Sequence, residues 1–356
     1  MRRGKASAAL PKDRELATDV HTRVRLGWPA VLLFVSGTAA LVYQVLWIRQ
    51  LSLVVGVDVH AVSLGVGAFF AGLAAGGWLF GRLADRLERP WNLYAALEIA
   101  AGVLGLAVTL ALGAVAVPFV WLEIRIGPLA WLLPLLLVAL PATLLGGTLP
   151  VLMRALRPMI EQRGWAGGRL YAANTLGAIA GTLLAAFCLI PWFGLRGSAL
   201  TAAVLNGLVA IAAWMLAVRA STEADTPGDA KPAVSAERAV APGEGGEAGE
   251  ARARQARLAV VLYAIAGGLA LGYEVVWSQA IVQFISTRSV AFAIVLATYL
   301  FGLMLGSAWI ARRADRLTDP WGVFAVLIST AGALALLEVA LLGDWLLQLQ
   351  SLASQW

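Results

Sequence analysis

The chain has 356 residues, of which 60% are apolar and only 13% charged, about half the charged share of a soluble globular protein. That balance excludes a soluble enzyme, a disulfide-stapled secreted module and a nucleic-acid-binding domain, because too little polar chain is left to build any of them. The formal charge of +6 is therefore a question of where the basic residues lie, and the single cysteine, Cys188, sits in an apolar run with no partner for an internal disulfide.

Residues 1–26 form a basic tail, too polar to supply the apolar centre of a cleavable signal peptide, so the first apolar run is expected to act as an uncleaved insertion signal. Nine runs long enough to cross a bilayer follow, at about 28–48, 60–82, 92–115, 129–153, 169–191, 197–218, 257–279, 290–311 and 322–342. With the N-terminus cytoplasmic, 23 of the 27 Lys and Arg residues fall inside, the bias that holds basic loops on the cytoplasmic side. Most of the fourteen tryptophans cluster near the ends of these runs, among them Trp28, Trp47, Trp91, Trp121, Trp131, Trp192, Trp277, Trp321 and Trp345, and read as interface anchors. The fold expected is all-α: a polytopic transmembrane helical bundle.

One segment interrupts this pattern. Residues 220–255 are rich in Ala, Gly, Glu and Pro and lack aromatic residues, the composition of a disordered cytoplasmic linker. The linker separates a six-helix N-terminal half, residues 27–219, from a three-helix partial second half, residues 256–356. Sliding the chain against itself by 230 residues aligns VLLFVSGTAALVYQVLW (31–47) with VLYAIAGGLALGYEVVW (261–277), and AGLAAGGWLFGRLADRLERPW (71–91) with FGLMLGSAWIARRADRLTDPW (301–321). Over residues 31–91 there are 19 identities in 61 gapless positions, including Tyr43, Trp47, Asp85, Arg86 and Pro90, which shared apolarity alone would not preserve. The opening three spans of each half, residues 31–115 in the first copy, are thus expected to be one module in one orientation. Parallel halves joined by a long cytoplasmic linker resemble the major facilitator plan.

The loop after span 2 carries Gly81, Asp85 and Arg86, similar to the start of that superfamily's Gly-x-x-x-Asp-Arg signature, and Asp315 and Arg316 repeat it after span 8. Glycine permits a close turn at the membrane surface, while the Asp and Arg can bond helix ends and neighbouring charges. The second copy has Ala311 in place of the leading glycine, and Glu88 stands where the signature has its second one. Small residues at four-residue spacing, such as Gly72 and Gly76, Gly302 and Gly306, and Gly177 and Gly181, form ridges for close helix packing. In span 4, Pro141, Pro150 and the pair Gly146 and Gly147 are expected to bend the helix and to open a pocket or hinge there.

Polar groups within the spans are few, and a carboxylate in hydrocarbon costs several kcal/mol, so each is a candidate site. They are Glu98, Glu274 and Glu338, with Gln44, Asn174 and Asn206 as neutral groups. Tyr43 and Trp47 share a helical face, as do Tyr273 and Trp277, and the repeat pairs Gln44 with Glu274. An aromatic face beside a carboxylate or amide suits a cationic or polyamine ligand, so Tyr43, Gln44, Glu98, Asn174, Tyr273 and Glu274 are the candidate ligand set. The competing roles are belt anchoring for the tyrosines and interhelix hydrogen bonding for Glu98, Glu274 and Asn174. No Ser-His-Asp set, metal-ligand spacing or nucleotide loop is present, so no covalent chemistry, cofactor or metal is expected of this chain.

The stretches SGTAALVYQVLWIRQLSLVVG (36–56), FFAGLAAGGWLFGRLADR (69–86), GGTLPVLMRAL (146–156) and GRLYAANTLGAIAGTLLAAFCLIPWFGLRGS (168–198) resemble the membrane region of bacterial membrane-bound spermidine synthases, fused major facilitator/spermidine synthase proteins. The resemblance implies a bacterial inner-membrane protein whose membrane region precedes a cytosolic aminopropyltransferase domain. The glycine-rich nucleotide loop and the diamine-holding acidic residues of that domain are not in this sequence, and the second half stops after three spans at Trp356. Three readings follow. The chain is a non-catalytic membrane module anchoring polyamine synthesis or moving polyamine cations; or a major-facilitator-type secondary transporter of another small solute; or a structural assembly subunit. Its partners are then the lipid bilayer, a separate or missing aminopropyltransferase domain and polyamine, with no nucleic acid.

Overall fold

The computed structural model describes residues 27–56, 58–157, 163–224, 247–282, 288–311 and 319–353. Among these, every regular element is helical: α1 Gly27–Val55, α2 Asp58–Arg86, α3 Pro90–Leu112, α4 Ala116–Ile126, α5 Leu132–Leu156, α6 Arg163–Leu184, α7 Ile190–Ala224, α8 Glu247–Val282, α9 Arg288–Ala311 and α10 Pro320–Ala353. A 3-10 turn, Gly127–Trp131, leads into α5, and a π-helical turn, Ala185–Leu189, joins α6 to α7.

Among the described residues, eight helical stretches are long and apolar enough to cross a membrane. One of them, Ala166–Val218, is 53 residues long, about twice a bilayer crossing. It is interrupted at Gly194, whose φ of 65° and ψ of −173° lie where only glycine rests without strain. That break separates the two crossings expected at 169–191 and 197–218, so the nine expected runs and the eight continuous stretches describe the same helices. The protein is an all-α, polytopic helical membrane protein.

Two expectations need correction and one element is added. Residues 116–126, between the runs expected at 92–115 and 129–153, form the short helix α4, ended by Gly127 at φ 58°. Phe119 of α4 packs with Val54 and Ala130, while Val117, Trp121 and Ile124 stay exposed. An apolar helix of eleven residues is too short for a crossing and suits the plane of the membrane surface. The linker is also shorter than its composition suggests, since α7 runs on to Ala224 and α8 begins at Glu247. Residues 247–254 (EAGEARAR) are mostly Ala, Glu and Arg, good helix formers that composition alone read as linker. The middle of that linker and the basic tail 1–26 lie outside the described residues. Finally, Trp47 and Trp91 are buried in the protein core instead of anchoring at the interface, whereas Trp28, Trp121, Trp192 and Trp321 are exposed.

Two compact units divide the chain. The first comprises residues through Glu244 together with Leu271–Met304. Within it α1 packs on α6 and α7, α2 on α5, and α3 on α5 and α7. Lipid gives helices no hydrophobic reason to associate, so contact depends on close backbone approach at small residues. A Cβ on Gly72 would come within 2.6 Å of the Ala139 carbonyl oxygen of α5, and one on Gly76 would overlap the Thr143 carbonyl. Gly177 and Gly181 of α6 meet the Phe34 and Thr38 carbonyls of α1 in the same way. Pro141 and Pro150 lie inside α5, which remains one continuous helix. Where α5 passes α2, a cleft of about 440 Å³ opens, lined by Gly81, Pro150 and Met153 among others.

The second unit comprises Gly245–Ala270 with Leu305–Trp356. Its helix α10 starts at Pro320, and the Asp319 carboxylate caps it by accepting from the Gly322 N–H at 2.9 Å. None of the crossing window of α10 is buried within the protein, and the intramembrane Glu338 on it is exposed.

Candidate functional site

Four polar side chains meet between α1, α3 and α7. On α3, Tyr94 and Glu98 are one helical turn apart and share a face. Asn206 of α7 packs closely over Gly102 of α3, where an added Cβ would lie 3.1 Å from Asn206 Cβ. The Asn206 amide donates to Glu98 Oε2 at 2.7 Å. The hydroxyls of Ser36, on α1, and of Tyr94 also hydrogen-bond the same carboxylate. Glu98, Tyr94 and Asn206 are fully buried, and Asn206 Oδ1 has no hydrogen-bond partner among the described residues. The sequence singled out Glu98 as a polar group within a span, and the structure buries it fully; Ser36 and Tyr94 were not selected, although the four-residue step from Tyr94 to Glu98 is a signal that could have found one of them.

The second buried carboxylate is Glu274 on α8, 2% exposed, with neither carboxylate oxygen hydrogen-bonded. Its repeat counterpart Gln44 on α1 is 1% exposed, and its amide nitrogen and oxygen are likewise without a partner. Neighbours of both residues belong to one apolar cluster: Leu41, Val45 and Ile48 on α1, with Leu271 and Val275 on α8 packed against it. A buried polar group without a hydrogen bond costs about 1–3 kcal/mol, more when charged, and native proteins seldom leave two such groups without a reason.

Tyr43 is placed differently from either expectation. It is neither at the interface nor open to a ligand: its ring stacks on Trp47 at 5.3 Å, and its hydroxyl donates towards the Gly102 and Ala199 carbonyls at 3.1 and 3.4 Å. Trp47 Nε1 donates to Thr109 Oγ1 at 3.0 Å, and Gln50 donates to the Thr109 carbonyl at 2.7 Å. Tyr43, Trp47 and Gln50 therefore form a ladder that ties α1 to α3 and α7. Tyr273, the repeat counterpart of Tyr43, is 41% exposed, so the two copies have parted roles at this position. Asn174 is half-buried and lies over Gly37, where its carbonyl and Oδ1 leave no space for a side chain, so it marks a close helix crossing.

Of the loop signature, Asp85 faces Arg157 at 3.3 Å and Arg154 at 3.6 Å, both at the end of α5. These charges and Gly81 line the cleft beside Pro150. Arg86 is exposed at the end of α2, and Asp315 and Arg316 lie outside the described residues.

The arrangement defines an intramembrane helical bundle with two buried carboxylates: Glu98 is held by polar side chains, Glu274 lies among apolar neighbours, and neither makes an ion pair among the described residues. Comparison with protein-family models, with curated proteins and with solved structures gave no match.

Proposed function

We propose that this chain is a non-catalytic integral membrane module of the membrane-bound spermidine synthase type, and that its role there is to bind and move a polyamine-type cation. The observation that carries this reading is Glu274, a carboxylate closed off from solvent with both oxygens unpartnered, paired through the repeat with the equally unpartnered Gln44. An alkylammonium group supplies both missing items at once, a positive charge and three N–H donors for carboxylate and amide oxygens. Placing a lone carboxylate in hydrocarbon costs about 3 kcal/mol on insertion scales, which a bound cation offsets. The resemblance of residues 168–198 to polyamine-synthase membrane regions supplies the ligand class, and the distribution of Lys and Arg supports a bacterial inner-membrane location with the N-terminus cytoplasmic.

Proteoliposome flux with labelled spermidine and putrescine tests the reading. Saturable uptake that disappears in Glu274→Gln supports it; no flux from wild-type protein that is folded and inserted supports a scaffold for polyamine synthesis instead. Flux of other small cations with none of polyamine would favour the general secondary-transporter reading.

A further inference from the structure

The close backbone approach of α2 and α5 relaxes towards the end of the pair. A Cβ on Gly76 would overlap the Thr143 carbonyl, whereas one on Gly81 would stand at ordinary contact distance, 3.6 Å, from Pro150 Cβ. There the cleft of about 440 Å³ opens, within the ~300–1,000 Å³ usual for small-molecule sites. Its floor is apolar, made by Leu149, Pro150 and Met153, and charges gather at its rim, Asp85 from α2 and Arg154 and Arg157 from the end of α5. Steps of three and four residues place Pro150, Met153, Arg154 and Arg157 on one helix face, as the step of four does for Gly81 and Asp85.

The charges at the rim do not balance. Both guanidinium groups turn to one oxygen: Asp85 Oδ1 lies 3.3 Å from Arg157 Nη1 and 3.6 Å from Arg154 Nε. The longer distance is outside hydrogen-bond range, and Arg154 Nε is buried with no hydrogen-bond partner among the described residues. A single carboxylate neutralises only one of two arginines, so the rim keeps a positive charge and spare N–H donors. Beside Gly81, the Arg82 guanidinium lies 4.1 Å over the ring of the exposed Trp78. An exposed tryptophan paired with an arginine at a helix end marks the headgroup level of a bilayer.

We infer that this cleft between α2 and α5 binds an anionic phospholipid. Guanidinium forks match phosphate oxygens, so Arg154 and Arg157 hold the phosphate, while Leu149, Pro150 and Met153 receive the glycerol and the first acyl carbons. A free phosphate would use the arginines and leave the apolar floor wet; a lipid covers both. A zwitterionic headgroup brings its own cation, which the positive rim repels. The site shares no residue with Gln44 or Glu274 and stands whether or not the polyamine reading holds.

Native mass spectrometry of the purified full-length protein in detergent, titrated with phosphatidylglycerol or with phosphatidylcholine of the same chains, tests the inference. The first phosphatidylglycerol is expected to bind at least about tenfold more tightly than phosphatidylcholine. That preference should vanish when Arg154→Gln and Arg157→Gln are combined and persist in Arg89→Gln, which removes an exposed charge outside the cleft. Asp85→Asn should tighten phosphatidylglycerol binding by about threefold, because its carboxylate competes with phosphate for the same arginines. This variant keeps the test decisive if the double arginine variant does not fold. Equal affinity for the two lipids, a preference that survives loss of both arginines, or unchanged or weaker binding in Asp85→Asn overturns the site. Displacement of the lipid by millimolar glycerol 3-phosphate would identify a free phosphate ester as the ligand and overturn the lipid assignment.

Discussion

The ring of Tyr43 lies against Gly105 so closely that a Cβ on the glycine would stand 2.6 Å from Tyr43 Cζ. The contact brings α1 and α3 within reach of two further hydrogen bonds, from Trp47 and Gln50 to Thr109. Tyr43→Phe keeps the ring and removes only the hydroxyl, and an interhelical hydrogen bond in a membrane protein contributes about 0.6 kcal/mol, so a small loss of stability is expected. Gly105→Val forces the ring out and should cost more, about 1–3 kcal/mol. Thermal unfolding in detergent ranks the two variants; a larger loss in Tyr43→Phe than in Gly105→Val would contradict this packing.

The two copies of the repeat differ at their glycine ridges. Gly72 meets the backbone of α5, while its counterpart Gly302, like Gly306, has open space where a side chain would go. Gly72→Leu is therefore expected to separate α2 from α5 and destabilise the protein by at least about 2 kcal/mol. Gly302→Leu should change stability by no more than about 0.5 kcal/mol. Equal losses from both, measured by the same unfolding assay, would show that the second ridge is also filled.

Asp85 joins the end of α2 to the end of α5 through Arg157 and Arg154, but its side chain is 55% exposed. Water and salt screen such a pair, so Asp85→Asn should lower stability by less than about 1 kcal/mol. A double-mutant cycle with Arg157→Gln should give a coupling that shrinks as salt is raised. A large, salt-independent coupling would mean that the pair is enclosed by something beyond the described residues.

The crossings were legible in the sequence because bilayer thickness fixes a length of about twenty apolar residues and lipid leaves few polar alternatives. The glycine ridges were legible for a related reason, since four-residue spacing places them on one helix face whatever that face meets. Rotation about each helix axis was not legible. Trp47 near a span end looks like an interface anchor until packing turns it inward, and its copy Trp277 gave no warning because the repeat preserves identity, not environment. The Glu98 and Asn206 pair joins residues 108 positions apart, and no periodicity relates two helices that are brought together only by the tertiary fold. Helix α4 was missed because a short helix lying along the membrane surface lacks the length that identifies a crossing.

The most direct measurement for the polyamine reading is equilibrium binding of labelled spermidine to the purified protein, comparing Glu274→Gln with Glu338→Gln. Both changes remove one intramembrane carboxylate, but Glu274 is buried and unpartnered while Glu338 is exposed. Loss of a charge-assisted contact to a bound ammonium should weaken binding by at least about tenfold in Glu274→Gln and leave Glu338→Gln unchanged. Equal affinity in the wild type and both variants, or no saturable binding in any of them, would contradict a cation site at Glu274.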